Sequence, residues 1–166
     1  LRVANEHRFV GVPPARIVPA PANENVYLAS GSSLARVLHE RVENDSGAAE
    51  AYGRVLEAGE DDESLRFLQQ HAMDKRAYSD AEKLLLRIAE LPQNQATRRD
   101  LLEERVDILV DRLVESREGA DALLHIVRDV DPRHLPALGR LGDLAESLGD
   151  HVLLADALDR TLAVVD

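Results

Sequence analysis

The chain has 166 residues, of which 45% are hydrophobic and 31% charged, with a formal net charge of −11 and no cysteine. That length and apolar content suit one domain with a real core, not a disordered chain. The acid excess reaches −12 over residues 34–166, the wrong sign for binding phosphate backbones or anionic bilayers, and the lack of cysteine removes disulfides, thiolate metal sites and cysteine nucleophiles.

Residues 1–32 hold four of the seven prolines, Pro13, Pro14, Pro19 and Pro21. Proline fixes its own φ and pushes the residue before it out of the helical region. An extended arm is therefore expected over 1–32, with short apolar runs between the breaks. Ordering such an arm costs on the order of 1–2 kcal/mol per residue in backbone entropy. Its apolar side chains, Phe9, Val10, Val12, Ile17, Val18 and Tyr27, are expected to dock on the helical body, on a second copy or on a partner. The stretch "SGSS" at 30–33 reads as a turn and cap.

From Ser33 the apolar spacing becomes i, i+3, i+4, i+7, which is helical. Eight helices are predicted: Leu34–Asn44, Gly47–Ala58, Asp62–Met73, Ser79–Leu91, Thr97–Ser116, Gly119–Val130, Leu135–Leu148 and His151–Val165. Ser79-Asp-Ala-Glu82 has the form of a capping box. Asp131-Pro132, Pro136 in a first turn and Gly149-Asp150 punctuate the later helices. Connections this short force consecutive helices to pack antiparallel. With only five aromatic residues, the core must be built from Leu, Val, Ile and Ala.

The helices repeat. Aligning "SGAAEAYGRVLEAGEDDESLRFL" with "EGADALLHIVRDVDPRHLPALGRL" puts Gly47 on Gly119, Ala48 on Ala120 and Val55 on Val127, an offset of 72. After one inserted residue, Leu65 falls on Leu138, Leu68 on Leu141, Ala72 on Ala145, Leu85 on Leu158 and Arg87 on Arg160. A four-helix block is thus present twice, and each block divides into two hairpins.

Leu138, Leu141-Gly142, Ala145, Leu154 and Leu158 resemble a tetratricopeptide repeat, as do Leu65, Leu68, Ala72, Ala81, Leu85 and Ile88 one block earlier. Ala120, Leu124, Val127 and Pro132, with Ala48, Tyr52 and Val55, match second-helix halves. The second-helix anchors Ala48, Ala81, Ala120 and Leu154 are 33, 39 and 34 residues apart, so the third unit is several residues too long. Leu65 and Leu138 replace the usual first-helix aromatic, and Glu60 stands where a proline would be. The resemblance covers residues 33–166 and implies an all-α, right-handed α-solenoid of antiparallel hairpins behind the Pro-rich arm. It also implies that Gly142, inside a helix, sits where the neighbouring helix comes close.

Chemistry is not visible. The six histidines are scattered, "HE" at 39–40 lacks the second histidine of a zinc helix, and no Gly-rich phosphate loop follows a strand. Carboxylate pairs such as Glu103-Glu104 lie at helix termini or on polar faces, without the desolvated pocket that separates pKa values. No catalytic residue, metal or cofactor is expected, nor nucleic acid or membrane insertion, since no apolar run approaches the roughly 18 residues of a span. A cytoplasmic setting is expected, with a periplasmic one also compatible with the missing cysteines.

The resemblance also implies that the first helix of each hairpin lines a concave groove. Its outward positions are Arg36 and Glu40, then Glu63, Arg66 and Gln70, then Asp107 and Asp111, then Asp143 and Glu146. Acids dominate, so a basic or amphipathic protein segment is the expected partner, and the Lys/Arg cluster of the carboxylate-clamp members is missing. The expected function is a non-catalytic protein-interaction module that uses groove and arm. The alternatives are a structural subunit whose arm inserts into a neighbour, and a regulatory region of a longer enzyme. The apolar ending "LAVVD" is expected to meet a partner or further chain.

Overall fold

In the computed structural model the structure describes residues 24–41 and 44–165, with side chains from residue 31 onward. The described residues form eight α-helices: α1 (Glu24–Glu40), α2 (Asp45–Ala58), α3 (Asp62–Asp74), α4 (Tyr78–Glu90), α5 (Gln95–Asp107), α6 (Ser116–His125), α7 (Leu135–Leu148) and α8 (His151–Val165). Short π-helical segments, Ile108–Arg112 and Ile126–Val130, close α5 and α6. Each helix packs chiefly on the one before it and the one after it. The architecture is therefore a row of antiparallel hairpins, α1–α2, α3–α4, α5–α6 and α7–α8.

The apolar spacing explains the packing. On α7 the buried residues are Ala137, Leu138, Leu141 and Ala145, and on α4 they include Ala81, Leu85, Ile88 and Ala89. Each set is one stripe of a 3.6-residue helix. These stripes merge into a single cluster from Leu65 to Ala157, while Ala35, Ala48 and Tyr52 form a smaller one between the first two helices. Local chemistry sets the ends. Asn44, Asp61, Asn94 and Asp150 accept hydrogen bonds from the backbone N–H groups of Gly47, Ser64, Thr97 and Leu153. Gly149 closes α7 at φ 69°. The Asp150 N–H then donates to the Ala145 carbonyl at 2.9 Å, completing a Schellman turn.

The first helix corrects the expected boundary. α1 begins at Glu24, so residues 24–32, Tyr27 among them, are helical where an extended arm was expected. The other arm residues singled out, Phe9, Val10, Val12, Ile17 and Val18, lie outside the described residues. Nothing after Pro21 blocks helical backbone, and the "SGSS" stretch is carried inside α1 by packing. Gly31 lies so close to α2 that an added Cβ would stand 2.5 Å from Val55 Cγ2. Tertiary contact there overrides poor helix propensity.

Three smaller expectations also change. The capping box does not form: α4 starts at Tyr78 with no side-chain cap, and Glu82 pairs instead with Arg105 of α5 at 2.8 Å. Burial of that carboxylate makes its opposite charge the better partner. The predicted single helix Thr97–Ser116 is shortened, because beyond Asp107 the bonds lengthen to Leu113 N–H on the Ile108 carbonyl at 3.0 Å. Val114 then turns the chain at φ 60°. Both π segments belong to the third hairpin, the unit with the 39-residue anchor spacing. A π turn is how a helix takes in an extra residue. Finally, Gly142 is not a close-approach site, since a Cβ there would meet only Leu154 Cδ1 at 3.9 Å. Gly119 takes that role, 2.5 Å from Val110 Cγ2.

The glycines therefore divide into two kinds. Gly119→Ala is expected to lower stability by about 1–3 kcal/mol, because the β-branched Val110 cannot swing away. Gly139→Ala, with no neighbour within 4 Å, is expected to raise it by about 0.5–1 kcal/mol through helix propensity. Thermal or urea denaturation of the two variants checks both signs.

Candidate partner-binding surface

The first helices of the four hairpins are joined side to side by polar contacts. Between α1 and α3, Arg36 donates Nε to Glu63 Oε1 at 3.0 Å and Nη2 to Glu63 Oε2 at 2.6 Å. Between α3 and α5, Gln69 Nε2 donates to Glu104 Oε1 at 3.2 Å. Between α5 and α7, Arg140 Nη1 meets Asp107 Oδ1 at 2.8 Å. His134, just before α7, lies 2.6 Å from Glu103. These links place α1, α3, α5 and α7 next to one another along one face of the row.

The nine groove residues named from sequence all lie on these four helices or the π segment after α5. Arg36, Glu63 and Asp107 tie neighbouring helices together. Arg66 pairs with Asp62 at 2.9 Å and Gln70 donates to Asp74 at 2.9 Å, both one turn apart on α3. Glu40, Asp111, Asp143 and Glu146 are exposed and make no ion pair among the described residues. The surface thus contains a set of internally satisfied links and, beside them, carboxylates open to solvent.

At the α1–α3 junction side chains of three helices meet. Tyr52 of α2, 3% exposed, reaches through to donate its hydroxyl to Glu63 Oε1 at 3.0 Å. The hydrogen bond from Arg36 holds the Glu63 carboxyl below its ordinary range. Burial, then the bond to Glu63, pushes the Tyr52 hydroxyl up to about 12. Phe67 packs at a tilt beside Tyr52 with ring centroids 4.6 Å apart and meets the His39 ring edge-on at 4.9 Å. Much of the small aromatic content is thereby concentrated at one seam. Tyr52, Gln69, Glu104 and Arg140 were not singled out as site residues, and no local pattern marks them, because each partner lies between 11 and 35 residues away in the chain.

The opposite edge of the row has its own links. Arg87 of α4 holds Glu60 at 2.8 Å, Arg117 of α6 holds Asp150 at 2.7 Å, and Arg128 lies 3.5 Å from Asp156 of α8. At the α1 end an open, mostly apolar hollow of about 470 Å³ lies between α1 and α2, lined by Gly31, Leu34, Ala51, Val55 and Ala58 among others. Among the described residues no group of three or more His, Asp or Glu side chains is placed to hold a metal ion, and no helix is long and apolar enough to cross a membrane.

No family model matches this chain, and no curated protein matches it. Among solved structures, one titled "Crystal structure of MamA" is similar, with a TM-score of 0.44 and 25% sequence identity over 74% of this chain and 69% of that one.

The Arg36–Glu63–Tyr52 cluster should behave as a pH-dependent latch on α1. Because the Glu63 pKa is lowered on folding, its contribution is present above the ordinary carboxylate range and is lost as acid protonates it. Tyr52→Phe is expected to cost about 1 kcal/mol in thermal denaturation. Glu63→Gln is expected to lower the hydrogen-exchange protection of α1 at neutral pH to the level the unaltered chain reaches only in acid.

Proposed function

We propose that this chain is a non-catalytic protein-interaction module that receives its partner on the face formed by α1, α3, α5 and α7. The observation that supports this reading most is the contrast between satisfied and open charges on that face. Arg36, Arg66 and Arg140 are each engaged by an acid, whereas Glu40, Asp111, Asp143 and Glu146 make no direct ion pair among the described residues. Open carboxylates spaced along adjacent helices steer and hold a cationic segment, and set specificity and association rate more than raw affinity.

The partner that fits is a basic or amphipathic stretch of protein. It lies across successive first helices and exchanges water for the four open carboxylates. Apolar neighbours on the same side, such as half-buried Phe67, offer contact for an amphipathic segment's other face. The resemblance to tetratricopeptide repeats agrees with this mode of use. In this reading residues 1–23 form a second contact surface, through Phe9, Val10, Val12, Ile17 and Val18.

Recovery of the partner from cells with the tagged chain, followed by crosslink mapping, tests the assignment. Crosslinks are expected on the odd-numbered helices, and Asp143→Lys with Glu146→Lys is expected to weaken capture about tenfold or more at low salt and less at high salt. Crosslinks confined to residues 1–23, with capture indifferent to both substitutions and to salt, would overturn the groove as the binding surface.

A further inference from the structure

The ligand chemistry that suits the face of α1, α3, α5 and α7 is also present in this chain. Residues 1–23 carry Arg2, Arg8 and Arg16 against Glu6 alone, a formal +2. Residues 24–166 hold 17 basic and 30 acidic side chains, a formal −13. Around the arginines of 1–23 stand Phe9, Val10, Val12, Ile17 and Val18. Arm and body are therefore opposite in sign, and the arm combines cationic with apolar side chains. A basic, amphipathic segment of that composition complements open carboxylates.

The carboxylates it would meet lie on α7 and just after α5. Asp111, Asp143 and Glu146 are exposed and make no ion pair among the described residues. Neighbouring cations are turned elsewhere. Arg140 meets Asp107 at 2.8 Å, and Arg112 lies over the Tyr78 ring, 5.8 Å from its centroid.

Reach permits the contact. The arm joins the body at Glu24, the first of the 17 residues of α1. At 1.5 Å per residue α1 is about 25 Å long, and with packed helices about 8–10 Å apart α7 lies roughly 30 Å across the face. Twenty-three extended residues span up to about 75 Å, enough to follow α1 and cross to α7. The four prolines of the arm fix their own φ, which reduces the backbone freedom that docking removes.

We propose that residues 1–23 lie across α5 and α7 of the same molecule, their arginines against Asp111, Asp143 and Glu146, and occupy the face until a stronger cationic segment displaces them. This autoinhibitory contact rests on the reading of that face given above. It directs the arm's own contact surface at the body. A tethered segment acts at an effective concentration on the order of 1 mM. An arm whose own affinity is only about 0.1 mM therefore weakens capture of a free cationic segment about tenfold.

Binding of a fluorescein-labelled oligolysine to the full chain at low salt tests this, read by anisotropy. Arg8→Gln with Arg16→Gln is expected to bind about tenfold more tightly than the unaltered chain, and adding Asp143→Lys with Glu146→Lys to remove that binding. Lys83→Gln with Arg133→Gln takes away the same charge outside the arm; an equal gain there would overturn the proposal. Phe9→benzoylphenylalanine, illuminated in the full chain, is expected to crosslink to α5 and α7 in a product of single-chain mass. Crosslinked dimers would overturn the contact within one molecule and give the face to a second copy. Crosslinks to the even-numbered helices alone would overturn it too. Oligolysine held equally with and without the arm's arginines, yet lost with Asp143→Lys and Glu146→Lys, would sink the arm's role and leave the face as the binding surface. Binding by none of the chains would overturn the reading of the face, and this inference with it.

Discussion

Every helix in this row depends on having its apolar stripe covered by the helices next to it in sequence. Helices of 10–17 residues are marginal alone in water, since nucleation is costly and propagation gains little per residue. Leu65, Leu85, Ile88, Leu102, Leu123, Leu138 and Leu141, all at most 1% exposed, are buried between consecutive helices. That dependence is one-dimensional. It makes the middle of the row well covered and leaves apolar surface at its two extremities.

How closely neighbours approach is set by a few small residues. Gly31 against Val55 and Gly119 against Val110 leave no room for a β-carbon, so these two contacts bring the helices of the first and third hairpins together. Polar residues then hold the register along the exposed edges. Arg36–Glu63, Gln69–Glu104 and Asp107–Arg140 tie the first helices, and Arg87–Glu60 and Arg117–Asp150 tie the other edge. Surface pairs of this kind add little energy singly. Their consequence is positional, because they engage Arg36 and Arg140, while Glu40, Asp111, Asp143 and Glu146 make no ion pair among the described residues.

The third hairpin departs from the others. Its anchor spacing is 39 residues against 33 and 34 elsewhere. Within that interval, from Ala81 to Ala120, the π segment Ile108–Arg112 takes in extra chain and Val114 adopts a left-handed backbone, φ 60°; a second π segment, Ile126–Val130, follows the later anchor. Each of these would be costly in an isolated helix. Here Ile108, Leu109, Ile126, Val127 and Val130 are buried by the surrounding helices, and that burial offsets the irregular backbone.

The eight helices, the hairpin pairing, the doubled block and the caps at Asp150 and Gly149 were legible in the sequence, because each follows from 3.6-residue periodicity or from a side chain bonding its own backbone nearby. The acidity of the first-helix face was legible too, since outward positions can be counted from the same periodicity. Where α1 begins, which glycine is needed for close packing, why Glu82 turns from a capping role to Arg105, and which acids remain open were decided only by tertiary structure. Each of those depends on the atom that arrives from another helix tens of residues away, and a local pattern carries no information about that atom.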